Sequence, residues 1–173
     1  MEVILDTLKC ILTRRSIREF TEKEIDDRDL ITIIKCAMYA PSAGNQMPWH
    51  FIIIKDKNCM KKIMEFHPHS SMLESAKVAI AVVADTSLEK YKGYWVQDCS
   101  AAVQNLLLSS HALGLGSVWL GIYPREERIK GLSFLLNLPE NVIPLAVVAI
   151  GYPGRKIEQP DRFQQDRIHF EKW

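Results

Sequence analysis

No charge of one sign dominates this sequence: 22 lysines and arginines stand against 21 aspartates and glutamates, a formal net charge of +1. Proteins that live on nucleic-acid phosphates carry a basic surplus. Nucleic-acid binding is therefore excluded as a class, and any anion site must be a local cluster. Cysteine is scarce, at positions 10, 36, 59 and 99 with no CxxC pair, so neither a zinc site nor a redox motif is expected and the four read as buried free thiols. Of five histidines only His67 and His69 are close, in FHPHSS. They lack further ligands at metal spacing and read as a solvated turn. No Ser-His-Asp signature, paired-acid motif or activated-cysteine motif marks a side chain as nucleophile. The opening MEVILDTLKC has no basic n-region or small-residue cleavage site, which excludes a signal peptide and predicts a cytoplasmic protein. The longest charge-free window, Cys99–Pro124, is interrupted by Gln104, Asn105, Ser109, Ser110 and His111 and broken at Gly114 and Gly116. It predicts a buried helix followed by a buried strand, with no membrane span.

What is present is ordinary globular composition, 47% hydrophobic and 25% charged over 173 residues, which suits one domain over 1–173 with a full core. Apolar spacing predicts helices over Val3–Thr13, Asp27–Tyr39, Asp56–Glu65, Trp95–Leu113 and Arg125–Gly131. Both Thr21–Glu24 and Asp26–Asp29 look like helix starts. Strands are expected at Trp49–Ile54, Val78–Ala84, Ser117–Gly121 and Val142–Ile150. This alternation gives α/β or α+β, with one sheet layer covered by helices.

Four segments could carry chemistry. Arg14-Arg15-Ser16-Ile17-Arg18 puts three guanidiniums and a hydroxyl at a helix end, either as a solvated cap or as a phosphate site, since clustered arginines repel unless an anion neutralises them. The uncharged loop Pro41-Ser42-Ala43-Gly44-Asn45-Gln46-Met47-Pro48 combines amide side chains with a backbone open to close approach, which is either a tight turn or a pocket for a flat polar heterocycle. In Gly114-Leu115-Gly116-Ser117-Val118-Trp119-Leu120-Gly121 a helix stops and a strand begins. That order is the reverse of a dinucleotide fingerprint, so no Rossmann site is expected. The tail after Gly151 carries Phe163, Ile168, Phe170 and Trp173. Such apolar surface needs a partner, either its own domain or a second chain.

In this order RRSIREF, PSAGNQMPWHFIII, GLGSVWLG and GYP with its basic tail resemble the FMN-dependent nitroreductase family over nearly the whole chain, PSxxNxxPWxF being the most specific part. The resemblance implies an α+β fold, a three-layer sandwich whose central, mostly antiparallel sheet is covered by helices. It also implies an intertwined homodimer with two FMN molecules at the interface, residues 154–173 forming an arm on the partner subunit, and NADH or NADPH as electron donor. By the same resemblance Arg14, Arg15 and Ser16 contact the flavin, Arg14 at its phosphate, and Arg18 lies beside the N1/O2 edge. Pro41, Ser42, Ala43 and Asn45, with Gln46 beside them, come from the other subunit over the ring and ribityl chain. The backbone of Leu120 and Gly121 approaches N5, and Arg162 supplies a second phosphate cation, with Arg155 and Lys156 as rivals. The chain departs from the family pattern at Gln46-Met47, at Leu120 in place of an acidic residue, and in its short 86–94 segment. The implied activity is NAD(P)H-dependent reduction of nitroaromatics, quinones or similar flat electrophiles by a ping-pong mechanism. Alternatives are a non-catalytic FMN-binding or storage protein lidded by Tyr91, Tyr94 and Trp95, or a relative performing reductive dehalogenation or flavin cleavage.

Overall fold

The computed structural model describes residues 6–173. Helix α1 (Thr7–Thr13) ends where the basic segment begins; the part of the expected helix before Asp6 lies outside the described residues. Asp26 caps α2 (Asp27–Met38) by accepting from the Arg28 N–H at 2.8 Å, and Leu30, Ile33 and Ala37 form its buried stripe. No helix starts at Thr21, because the chain from Ser16 to Thr21 is held extended by backbone bonds from Ile17 N–H to Ser117 O (3.0 Å) and from Thr21 N–H to Tyr152 O (2.9 Å). Strand β1 (Trp49–Ile54) and helix α3 (Lys57–Phe66) follow, the helix capped by Asp56. Strand β2 (Val78–Asp85), helix α4 (Trp95–Ala112), strand β3 (Gly116–Gly121), helix α5 (Glu126–Leu135) and strand β4 (Val142–Gly151) complete the order. Helix α5 runs a turn past the expected end at Gly131. That glycine serves contact instead of termination, since a β-carbon there would stand 2.6 Å from Phe66 Cγ.

The strands form one sheet in the order β1-β2-β4-β3, all neighbours antiparallel. The sole parallel pairing among the described residues is an isolated bridge between Ser16 and Ser117. Alternation along β2 sends Val78, Ile80, Val82 and Ala84 to a core shared with α2 and α4, and Ala79, Ala81 and Val83 to a second core with α3 and α5. The result is the expected three-layer α+β sandwich.

The sheet also fixes the basic segment. Gly116 and Gly151 are cross-strand partners. A β-carbon on the first would meet Ile17 at 2.7 Å and on the second Phe20 at 2.8 Å, so the glycine pair is the groove in which Ile17 and Phe20 lie. The arginines on either side of Ile17 are thereby held against the end of the sheet. Among the thiols, Cys10 and Cys99 are buried as expected, whereas Cys36 and Cys59 are only half-buried. Burial pushes the Cys99 thiol up to about 12, so it is inert at neutral pH.

Candidate functional site

Arg14, Arg15 and Arg162 converge on one cleft of about 460 Å³, which Gln159 and Asp161 also line. Burial, and then the facing charges of Arg162 and Arg15, push the Arg14 guanidinium below its ordinary range. Arg15 donates from Nη1 to the Leu12 carbonyl at 3.0 Å, while its Nε is buried without any partner. Among the described residues no carboxylate pairs with any of the three. Cations pressed together beside an orphaned buried donor are a site for an anion of several oxygens, and a phosphate fits it. The neighbouring cleft, about 830 Å³, holds Arg155 and Lys156 beside Thr13 and His111. Arg155 already pairs with Glu19 at 3.2 Å; of the three tail cations it is Arg162 that lines the cleft with Arg14 and whose charge acts on it. Arg18 is exposed and stands apart, over a depression with Glu22, Ser71 and Glu74.

From this cluster the free edge of the sheet leads to Gly121. β3 is the edge strand, and its Ser117 carbonyl is taken by Ile17. By the alternation of an antiparallel ladder, Trp119 and Gly121 also turn their backbone groups outward. Ser117 and Gly121 are four residues apart, about 13 Å of strand. At Gly121 the direction of a β-carbon meets nothing within 4 Å, so a flat group could lie against the backbone there. The Leu120 side chain does not line that space. It is 3% exposed and belongs to the core beneath α3 and α5, and the same alternation turns its backbone groups inward to β4, so of the expected pair Gly121 alone faces the open edge.

The loop before β1 is built differently. Asp98, buried in the first turn of α4, accepts from the Ala43 N–H at 2.9 Å and from Gln46 Nε2 at 2.6 Å. The other amide atom of Gln46, Oε1, accepts from the N–H groups of Lys90 (2.8 Å) and Tyr91 (3.1 Å). The Gln46 side chain is thus consumed within the chain as the clamp of the loop. Gly44 and Asn45 take positive φ of 53° and 54°. Pro41 and Asn45 are exposed, and Ser42 and Ala43 are half-buried. This loop sits at the Asp98 end of α4, whereas Thr13, one residue before Arg14, bonds His111 Nε2 at 2.8 Å at the other end. Thirteen helical residues separate the two, about 20 Å. One chain therefore keeps the loop and the arginine cluster apart.

Two functional positions escaped the sequence reading. Asp98 is the sole acidic residue of α4, and a lone carboxylate in an otherwise uncharged buried helix was the available signal. His67 is not in a solvated turn. It is 2% exposed, with Nε2 3.1 Å from the Gly121 carbonyl oxygen, and the solvated reading holds only for the exposed His69.

Comparison with known proteins places this arrangement. The sequence model of the nitroreductase family matches residues 11–67 and 67–152. The chain belongs to the nitroreductase family. Among relatives of this nitroreductase, a protein of Archaeoglobus fulgidus provisionally named NADH dehydrogenase/NAD(P)H nitroreductase is 52% identical, over 97% of this chain and 99% of its own. A solved nitroreductase structure from Desulfovibrio desulfuricans, itself provisionally named and in complex with FMN, superposes with a TM-score of 0.85 at 30% identity, covering 98% of each chain. The NADPH:FMN oxidoreductase of Vibrio harveyi complexed with NAD+ superposes with a TM-score of 0.86 at 25% identity, over 96% of this chain and 77% of the other. Among the described residues no helix is long and apolar enough to cross a membrane.

Proposed function

We propose that this nitroreductase is an FMN-dependent NAD(P)H oxidoreductase that reduces flat electrophiles such as nitroaromatics and quinones, and that it works as a homodimer with FMN at the interface. The observation that carries the reading is the two-ended site: a convergent guanidinium cluster with an orphaned Arg15 Nε at one end, and at the other Gly121, about 13 Å along β3 from Ser117, with open space in its β-carbon direction. These ends suit a molecule with a phosphate at one tip and a planar ring at the other. Arg14 and Arg162 would hold the phosphate, assisted by Arg15, with Ser16 beside them. The outward N–H of Gly121 would face the reactive edge of the ring. FMN supplies the electron-transfer chemistry when bound, which accounts for a site without a nucleophile.

The Pro41–Gln46 loop, about 20 Å from the arginine cluster of its own chain by the length of α4, would, as the family resemblance implies, come from the partner subunit to cover the ring and exclude water. The arm at 154–173 supports this dimer. Phe163, Phe170 and Trp173 are 71, 81 and 102% exposed on the single chain, so of the two possible partners for the tail the second chain remains. We read residues 1–173 as one domain with this arm. Four free thiols suit the reducing cytoplasm.

Without a Rossmann fingerprint, donor and electrophile would share one pocket and occupy it in turn, a ping-pong order. Tyr91, Tyr94 and Tyr123, all exposed, are the aromatic surface nearest the clamped loop and the end of β3. They would stack on a flat substrate. A storage role would use Tyr91 and Tyr94 as a fixed lid; Trp95, the third aromatic expected there, is 6% exposed and packs in the core. Anaerobic rapid mixing with NADH or NADPH separates the two: the yellow protein is expected to bleach, and a quinone added after removal of the nicotinamide to restore its colour. Colour that persists with either donor would leave the flavin-carrier reading standing.

A further inference from the structure

At the same free edge, approached from the side of the sheet covered by α3 and α5, two side chains converge on the Gly121 carbonyl. Arg128, near the start of α5, donates from Nη1 to the Gly121 oxygen at 2.8 Å. The same nitrogen lies 3.2 Å from His67 Nε2, which is itself 3.1 Å from that oxygen. The meeting is built into the packing. His67 is the residue that ends α3, Phe66 precedes it, and Phe66 packs where Gly131 of α5 has no side chain. An alanine at 131 would force the helices apart and withdraw Arg128 from the strand.

The electrical character of this corner follows from its members. Among the described residues no carboxylate pairs with Arg128. Burial first, and then the charge of Arg128 and a smaller contribution from His69, hold the His67 imidazole below its ordinary pKa. The ring is therefore neutral at physiological pH, and its Nδ1 is buried without a partner. One uncompensated positive charge thus rests, half-buried, on the carbonyl of the residue whose N–H points off the sheet edge. A buried imidazole with one unmet nitrogen costs stability, and here it lies 3.2 Å from the guanidinium.

We propose that Arg128, aligned by His67, is a positioning residue that holds the Gly121 carbonyl at the strand edge and gives the electron-accepting end of the site a positive potential, so that the bound flavin is held more tightly reduced than oxidised. The inference rests on the FMN reading above and adds to it a determinant contributed by α5, from the side of the sheet opposite the open space at Gly121. A unit charge at about 10 Å, at an effective dielectric near 20, alters such a balance roughly tenfold.

The test compares R128M, R128K and H67Q with the wild type in the FMN-loaded dimer. R128M is expected to lower the midpoint potential, with the ratio of oxidised to reduced FMN dissociation constants falling roughly tenfold. R128K, which keeps the charge, should recover most of that ratio. H67Q should fall between, because it loosens the guanidinium without removing its charge. A merely structural role would lower thermal stability and flavin content and leave the potential of the remaining bound FMN at the wild-type value, and that result would overturn the proposal. The apoprotein gives an independent reading by NMR. Loss of the Arg128 charge should move the His67 titration upward toward the ordinary imidazole range. An unmoved His67 titration would also overturn the clamp. A wild-type chain that takes up no FMN would instead sink the functional reading and, with it, the effect on potential, while the NMR arm still decides the contact.

Discussion

Replacing Arg14 and Arg162 together by glutamine should weaken FMN binding on the order of 10²–10⁴-fold, each removed charge-assisted contact being worth about 1.5–3 kcal/mol. The same change should leave the apoprotein no less stable, because the two guanidiniums press on each other in the empty chain and burial already disfavours the charge on Arg14. Opposite signs for cofactor affinity and apoprotein stability are the mark of residues arranged for a ligand. The loss should be larger in dilute buffer than at high salt, since screening erodes the wild-type advantage once the Debye length falls to about 10 Å at 0.1 M. Riboflavin provides the control by calorimetry. It lacks the phosphate, so the variant should bind it as the wild type does. An equal loss for riboflavin would mean that the arginines shape the cleft and do not read phosphate.

Removing residues 155–173 should reduce the proposed dimer to a monomer and abolish flavin retention in the same step. Phe163, Ile168, Phe170 and Trp173 are exposed on the single chain, and burying such side chains is worth about 1.5–3 kcal/mol apiece. Two arms lost from a twofold assembly would therefore raise its dissociation constant by many orders of magnitude. Truncation also removes Arg162 and the bond from Gln159 Nε2 to the Leu12 carbonyl at 3.1 Å. A second variant, with Phe163, Ile168 and Phe170 changed to serine, keeps both. It should still weaken the dimer in sedimentation, and its FMN affinity should fall with protein dilution. A truncated chain that sediments as a flavin-loaded dimer would show that the arm is not what joins the subunits.

Much of this architecture was legible in the order of residues because each element carries its own local signal. The valine-rich run at 78–84 and the apolar period of 95–113 read as interior strand and helix, and the structure makes them β2 and α4. The cap at Asp26 and the stop at Gly114 set boundaries that the structure keeps within a residue or two. Local signals failed where a distant contact decided the outcome. Thr21–Glu24 has the composition of a helix start, yet the bonds of its neighbours to Ser117 and Tyr152 hold the segment extended. Gly131 looks like a terminator, and its meaning is the ring of Phe66. His67 read as solvated because nothing in FHPHSS announces that Gly121 and Arg128 will close over it. The candidate site was legible as motifs and not as geometry. The sequence places Gln46 beside Asn45, but only the fold pairs its amide with Asp98 and the backbone of Lys90 and Tyr91.

The separation of the loop from the arginines along α4 makes a claim that one mixture can decide: each flavin site takes its basic cluster from one subunit and its covering loop from the other. The partners are an R14Q/R162Q chain and a P41W chain, Pro41 being exposed on the single chain so that the bulk falls only on what the loop covers. Each homodimer should be colourless. In the mixed dimer, isolated through two affinity tags, one site combines both defects and the other is intact, so the account predicts one FMN per dimer. If cluster and loop served one flavin from the same chain, every site in the mixed dimer would carry a defect, and a colourless mixed dimer would contradict the account.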